Sequence, residues 1–177
     1  MEDLNKEEQV VLVDVEDNVL SYLGKLEAHE KGLLHRAISV LIFNSKGEQL
    51  VQQRALSKYH WAGIWSNTCC SHPRINESYL NAAQRRLFEE LGIKTPLTKA
   101  FHFIYKATDI KSGLIEHEYD TVFTGIYDGD FEFNKEEVEA TRWMSKKEIL
   151  QDILANEDEY SFWFKIILKE FEERNML

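Results

Sequence analysis

The sequence predicts an α+β fold, an α/β sandwich in which helices flank a mixed β-sheet. Three observations carry this expectation. Short apolar runs of strand length open the chain, one helix with apolar residues at three- and four-residue steps interrupts them, and further strands precede closing helices. The composition, 44% hydrophobic and 12% aromatic, is enough to fill a core. No repeat, low-complexity stretch or Pro/Gly-rich linker divides the 177 residues, and only two are proline. The chain is therefore expected to form one domain over 1–177, with a core over about 10–150 and a C-terminal helical segment over 151–177.

Taken in order, Val10 to Val13 reads as a first strand, with Asp14 to Asn18 as its turn. Ala37 to Asn44 is a buried strand, Ser45-Lys46-Gly47 turns it, and Gln49 to Arg54 returns as a hairpin. Ser78 to Leu91 is a helix, because Leu80, Ala83, Leu87 and Leu91 share one stripe and Gly92 stops it. Phe101 to Ala107 and Glu116 to Tyr127 are strands around a loop at Ser112-Gly113, followed by a turn at Asp128-Gly129-Asp130. Glu139 to Met144 is a further strand, and Ser145 with Glu148 forms a capping box that opens a helix. Phe162 to Glu173 is a helix offering Phe162, Ile166, Leu168 and Phe171 for packing.

Charge narrows the function classes. Lys and Arg number 21 against 31 Asp and Glu, a net charge of −10, which argues against nucleic acid or an anionic membrane as partner. A phosphate site must then be a local basic cluster. The most apolar run, Ala37 to Phe43, is too short to span a bilayer, and the acidic start of the chain has no signal-peptide core. A cytoplasmic location is expected. The two cysteines, Cys69 and Cys70, are adjacent and strained against pairing, so both are expected as free thiols.

Asn67-Thr68-Cys69-Cys70-Ser71-His72-Pro73 places a thiol two residues from an imidazole. Farther on, Glu116 and Glu118 flank His117, and on a strand they share a face. A base, metal ligands and a proton donor are thus available to one pocket. The plain alternatives are a buried hydrophobe for the cysteine and solvated or packed side chains for the rest. His60, His102 and His117 are read as surface or packing residues.

The helix carries a spaced pattern. Glu77 is followed, after seven residues, by Arg85-Arg86-Leu87-Phe88-Glu89-Glu90-Leu91-Gly92. This resembles the Nudix box, with Ser71 where the opening Gly belongs and Arg86 where the box has a metal-binding Glu. Read without the resemblance, Arg85/Glu89 and Arg86/Glu90 are i,i+4 surface pairs. Adding Trp65 to Pro73, Lys31 to Ala37 and Gln52 to Lys58, the chain from about Val11 to Trp163 resembles type 1 isopentenyl-diphosphate delta-isomerases, a family built on the Nudix fold.

That resemblance implies interconversion of isopentenyl and dimethylallyl diphosphate in isoprenoid biosynthesis. It puts the catalytic thiol on Cys70, with Cys69 a neighbour, and an active thiol asks for positive charge nearby. It implies Glu118, helped by Tyr105, as the proton donor on the opposite side. Trp163 matches an aromatic facing the cation, or else it packs the core. The implied metal ligands are His35, His72, Glu116 and Glu118, with His29 as the third histidine, a set that suits Mn2+ or Zn2+ better than calcium. Arg54, Lys58 and Arg86 match diphosphate-binding positions, and Lys25 is a further basic candidate. A Mg2+ is implied between the diphosphate, Glu90 and the Cys70 carbonyl. The expected partner is a small allylic or homoallylic diphosphate, with no nucleic acid and no membrane, and the protein is expected as a monomer or weak homodimer. The competing readings are a Nudix-type diphosphate hydrolase and a non-catalytic metal-binding domain.

Overall fold

The computed structural model describes residues 8–58 and 61–176. Its elements, in order, are β1 (Gln9–Val13), β2 (Val19–Gly24), α1 (Lys25–Lys31), β3 (His35–Phe43) and β4 (Gln49–Arg54). They continue with β5 (Trp65–Ser66), β6 (Cys69–Ser71), α2 (Tyr79–Leu91), β7 (Thr98–Thr108) and β8 (Ile115–Ile126). The chain closes with β9 (Val138–Met144), α3 (Lys146–Ala155), a short 3-10 turn and α4 (Phe162–Glu173). His60 lies outside the described residues. No described helix is long and apolar enough to cross a membrane.

All nine strands among the described residues belong to one mixed sheet. Its spine is β3, which runs parallel to β8 over its full length, from His35↔Glu118 to Phe43↔Ile126. β7 pairs antiparallel with β8 on the other side. The expected hairpin of β3 with β4 exists only at its turn: the two strands share the single pair Phe43↔Gln49 and then part. β6 takes the vacated edge of β3 at Ile38 to Val40, while β5 and β9 pair with β4. The gap left between the diverging strands is where the site forms.

The sheet is covered on both faces. On one, Ala82, Ala83, Leu87 and Leu91 of α2 pack on Ile38, Val40 and Ile42 of β3. On the other, Phe164, Ile167, Leu168 and Phe171 of α4 pack on Leu41, Phe101, Phe103 and Val122. Alternate residues of β3 therefore serve opposite cores, which makes the strand read as a continuous apolar run. Ser78 caps α2 by accepting from the Asn81 N–H, and Ser145 with Glu148 forms the capping box of α3.

Some expectations shift. Leu80 is 39% exposed and its place in the α2 stripe falls to Ala82. Phe162 is 40% exposed, and Trp163, Phe164 and Ile167 fill the core from α4 instead. A two-residue offset in a helix turns a side chain by about 200°, so the stripe can be read one step out from apolar spacing alone. β2, α1, β5 and β6 were not expected. β2 has an exposed polar–apolar mixture with no clean period, and the other three are too short to show one.

Candidate active site

The parting of β3 and β4 opens a cavity of about 60 Å3. Its walls include Gln52 and Arg54 of β4, Cys70 of β6 and Glu118 of β8. Tyr105 reaches it from β7, Arg86 and Glu90 from α2, and Trp163 from α4. Lys25, Lys58, His72 and Glu116 line it as well.

At its floor five side chains converge. One donor atom from each of His29, His35, His72, Glu116 and Glu118 lies within 4.8 Å of all the others, and all five residues are buried. Chain geometry explains the convergence. The parallel register sets His35 beside Glu118, and period-two alternation turns Glu116 and Glu118 inward together. His117, between them, faces away and bonds through Nδ1 to the Gly32 carbonyl. His29 arrives on α1, a helix closed by Gly32 in the left-handed conformation (φ 60°) that glycine adopts without strain. His102 stacks on Tyr119 outside the site, a packing role as expected.

The protons on these rings are set by their other nitrogens. His29 Nδ1 contacts the Lys25 carbonyl at 2.6 Å and His35 Nδ1 the Leu33 carbonyl at 2.8 Å. A carbonyl only accepts, so both Nδ1 atoms carry hydrogen and, in the neutral rings, both Nε2 atoms present lone pairs inward. His29 Nε2 then meets Glu116 Oε2 at 3.0 Å. His35 Nε2 meets His72 Nε2 at 3.3 Å and Glu118 Oε1 at 3.7 Å. His72 Nε2 is 2.9 Å from the same Glu118 oxygen, and its buried Nδ1 has no hydrogen-bond partner. Acceptors outnumber the protons available to them, an imbalance that a divalent cation relieves, and the N/O donor set fits one.

The electrostatics follow. Burial lowers the His29 pKa, but the hydrogen bond and charge of Glu116 outweigh it and leave it raised. For His72 burial wins and pulls the ring down to about 4, with Glu118 opposing. Burial and the Glu116 charge push the Glu118 carboxyl up, yet the His35 and His72 imidazoles beside it hold it below its ordinary value. Tyr105 donates to Glu118 Oε2 at 2.7 Å, and burial beside that carboxylate keeps its phenol protonated.

The two cysteines separate by strand alternation. Cys69 is fully buried in the core beneath α2, whereas Cys70 lines the cavity with Sγ 3.9 Å from Ser66 Oγ. The positive charge expected near Cys70 is the Arg54 guanidinium. Burial pushes the thiol up to about 12, and the Arg54 guanidinium only partly opposes it.

The basic residues gather at the rim, each already engaged. Lys25 pairs with Glu8 at 3.0 Å, and Arg54 donates through Nε to the Trp61 carbonyl at 3.0 Å. Arg86 Nη2 contacts Glu90 at 2.6 Å and Glu137 at 3.1 Å, and Lys58 pairs with Glu137 as well. The i,i+4 pairs of α2 are therefore real, although the second is turned toward the cavity rather than toward solvent. Trp163 is 4% exposed, packs in the core and also lines the cavity wall.

Comparison with known proteins fits this geometry. The NUDIX domain pattern matches residues 33–164. Isopentenyl-diphosphate delta-isomerase 2 of Aromatoleum aromaticum is 48% identical over 162 residues, covering 92% of this chain and 85% of its own. The isopentenyl-diphosphate delta-isomerase of Serratia proteamaculans is 42% identical over 96% of this chain and 94% of its own. The chain belongs to the isopentenyl-diphosphate delta-isomerase family. Among solved structures, a protein of Deinococcus radiodurans superposes with a TM-score of 0.67 at 18% identity, covering 84% of this chain and 90% of that one. A MutT protein of Methanosarcina mazei superposes at 0.65 with 24% identity, over 80% and 95% of the two chains. These two share the Nudix fold and support nothing beyond it.

For an isomerase of this family, the residues that sequence reasoning passed over are those that hold the expected ones. Gln52 donates to Glu90 Oε2 at 2.9 Å, Glu8 pairs with Lys25, and Glu137 joins Lys58 to Arg86. No sequence signal marks them. Glu137 sits in an acidic stretch where any carboxylate reads as solvated.

Proposed function

We propose that this protein interconverts isopentenyl and dimethylallyl diphosphate, moving protons with Glu118 and Cys70 across the cavity. The observation that carries the reading is the Glu118 carboxylate, gripped by Tyr105 on one oxygen and by His72 on the other. It lines the same cavity as Cys70, beneath a rim of cations.

An unactivated alkene is a weak base, so its protonation needs an acid placed against the terminal carbon and shelter for the tertiary cation that forms. Glu118 delivers the proton there, with the Tyr105 hydroxyl fixing its orientation. Cys70 takes a proton from C2, and the roles exchange in the reverse direction. The ring of Trp163 stabilises positive charge beside it, and the buried aromatic wall keeps water from capturing the cation.

Lys25, Arg54, Lys58 and Arg86 hold the diphosphate. His29, His35, His72, Glu116 and Glu118 would hold Mn2+ or Zn2+, and Glu90 with the Cys70 carbonyl would hold a Mg2+ that serves the diphosphate. When bound, the first ion lowers the energy of charge on Glu118 and the second neutralises the phosphates. The site residues fall within one domain, and a net charge of −10 supports a small cytoplasmic substrate rather than nucleic acid or membrane. The reading takes the protein as a monomer or weak homodimer.

The test is incubation with isopentenyl diphosphate in heavy water, followed by NMR. Deuterium uptake with conversion to the dimethylallyl isomer is expected. Release of inorganic phosphate would instead support hydrolysis, and an unchanged substrate with metal-loaded protein would overturn both.

A further inference from the structure

The cations at the cavity rim share it with a carboxylate. That carboxylate is Glu137, which lines the cavity beside Lys58 and Arg86. Its Oε2 meets Lys58 Nζ and, at 3.1 Å, Arg86 Nη2, and its side chain is 23% exposed. The backbone beneath it is pinned from two sides. The Ala55 N–H donates to the Glu137 carbonyl at 3.0 Å, where the loop carrying Lys58 leaves β4. The Glu137 N–H donates to the Asn134 carbonyl at 3.0 Å, and the Asn134 N–H donates to the Glu90 carbonyl at 2.8 Å, tying the loop to the end of α2. A bulge in the β4–β9 pairing, where Arg54 meets Val138, sets Glu137 at this corner.

One carboxylate oxygen thus bridges two cations drawn from separate elements, as a phosphate oxygen would. Arg86 is shared further with Glu90, which Gln52 holds in turn. We infer that Glu137 is an exchange anion: it holds Lys58 and Arg86 together, and the diphosphate of the substrate displaces it as it binds. This rests on the diphosphate reading above and assigns Glu137 a positioning role that sets how tightly that group is held.

A merely structural carboxylate and an exchange anion predict opposite signs. If Glu137 only organised the cations, its loss would scatter them and weaken anion binding. If it competes with the ligand, its loss removes a rival negative charge and strengthens binding.

The experiment is titration of metal-loaded wild-type, Glu137→Gln and Glu137→Asp protein with inorganic pyrophosphate by calorimetry, beside steady-state kinetics on isopentenyl diphosphate. Glu137→Gln is expected to bind pyrophosphate about fivefold tighter. KM should fall by a similar factor with no rise in kcat, because the removed rival opposes ground state and transition state alike. Glu137→Asp keeps the charge with a shorter reach and should fall between the two. Weaker or unchanged pyrophosphate binding by Glu137→Gln overturns the inference, and so does a Glu137→Asp variant that binds no tighter than wild type. Absence of isomerisation by the wild type is a separate outcome and bears on the proposed function alone.

Discussion

The floor and the rim of the cavity are charged in opposite ways. At the floor, three histidines and two carboxylates face one another within 4.8 Å, on α1, β3, β8 and the residue that follows β6. At the rim, Lys25, Lys58 and Arg86 each already hold a carboxylate of the chain, on side chains that remain partly exposed. The floor is short of positive charge and is built to receive a cation. The rim is locally neutralised, so an incoming anion must exchange with a partner already there. Rigid strands suit the first task, because ligand geometry must survive without the ion. Long, flexible side chains suit the second.

The largest effect expected is on chemistry. Cys70→Ala and Glu118→Gln should each cut isomerisation about 10^3-fold, the range for losing a positioned acid or base. Cys69→Ala should retain most turnover while losing stability, since Cys69 packs beneath α2. The reverse pattern in the deuterium-exchange assay would show that the strand places the other thiol in the cavity.

Next comes the floor as a metal site. Adding Mn2+ or Zn2+ to chelator-stripped protein should raise unfolding free energy by about 2.7 kcal/mol at a hundredfold excess over Kd. His35→Asn should abolish that gain and Lys58→Met should leave it intact. Without metal, the depressed His72 costs stability on acidification. Its folded pKa of about 4 lies below the ordinary 6.5, so the unfolded chain takes up the proton first and stability falls as pH drops from about 6.5 toward 4. The raised His29 acts in the opposite sense, contributing stability below 6.5 that is lost as pH rises through its folded pKa. Denaturant melts of His72→Asn across that window should show a shallower acid limb than wild type.

The rim should respond more weakly. Lys58→Met is expected to weaken pyrophosphate binding about tenfold at low salt, the worth of one charge-assisted contact, and less at high salt. Equal loss at both salt concentrations would mean the lysine acts through structure rather than charge. Smallest, and outside both regions, Ser78→Ala should cost about 1 kcal/mol by uncapping α2 while leaving kcat unchanged.

Legibility in the sequence tracked distance along the chain. The α2 start, the capping box of α3 and the strands β3, β8 and β9 follow from local period and cap chemistry, and each stands within a residue or two of its expected bounds. The choice of Cys70 over Cys69 came from the family motif, and alternation along β6 places Cys70 on the cavity wall. His29, His35, His72, Glu116 and Glu118 were named from motif order, and the structure brings all five together. What could not be read were the supporting contacts. Glu137 and Gln52 meet Arg86 and Glu90 across 38 residues or more, and nothing in their neighbours in sequence distinguishes them from solvated side chains.

The sequence by itself determined the layer order, the family, and which side chains have the chemistry for the site. Period and motif are local properties, and they survive without coordinates. Only the tertiary structure decided the electrostatic state of those side chains. The parting of β3 from β4, the burial that raises Cys70 and lowers His72, and the pairing of each rim cation with a carboxylate depend on what approaches from elsewhere in the chain. Charge and dielectric are set by neighbours in space, and those neighbours are chosen by the fold.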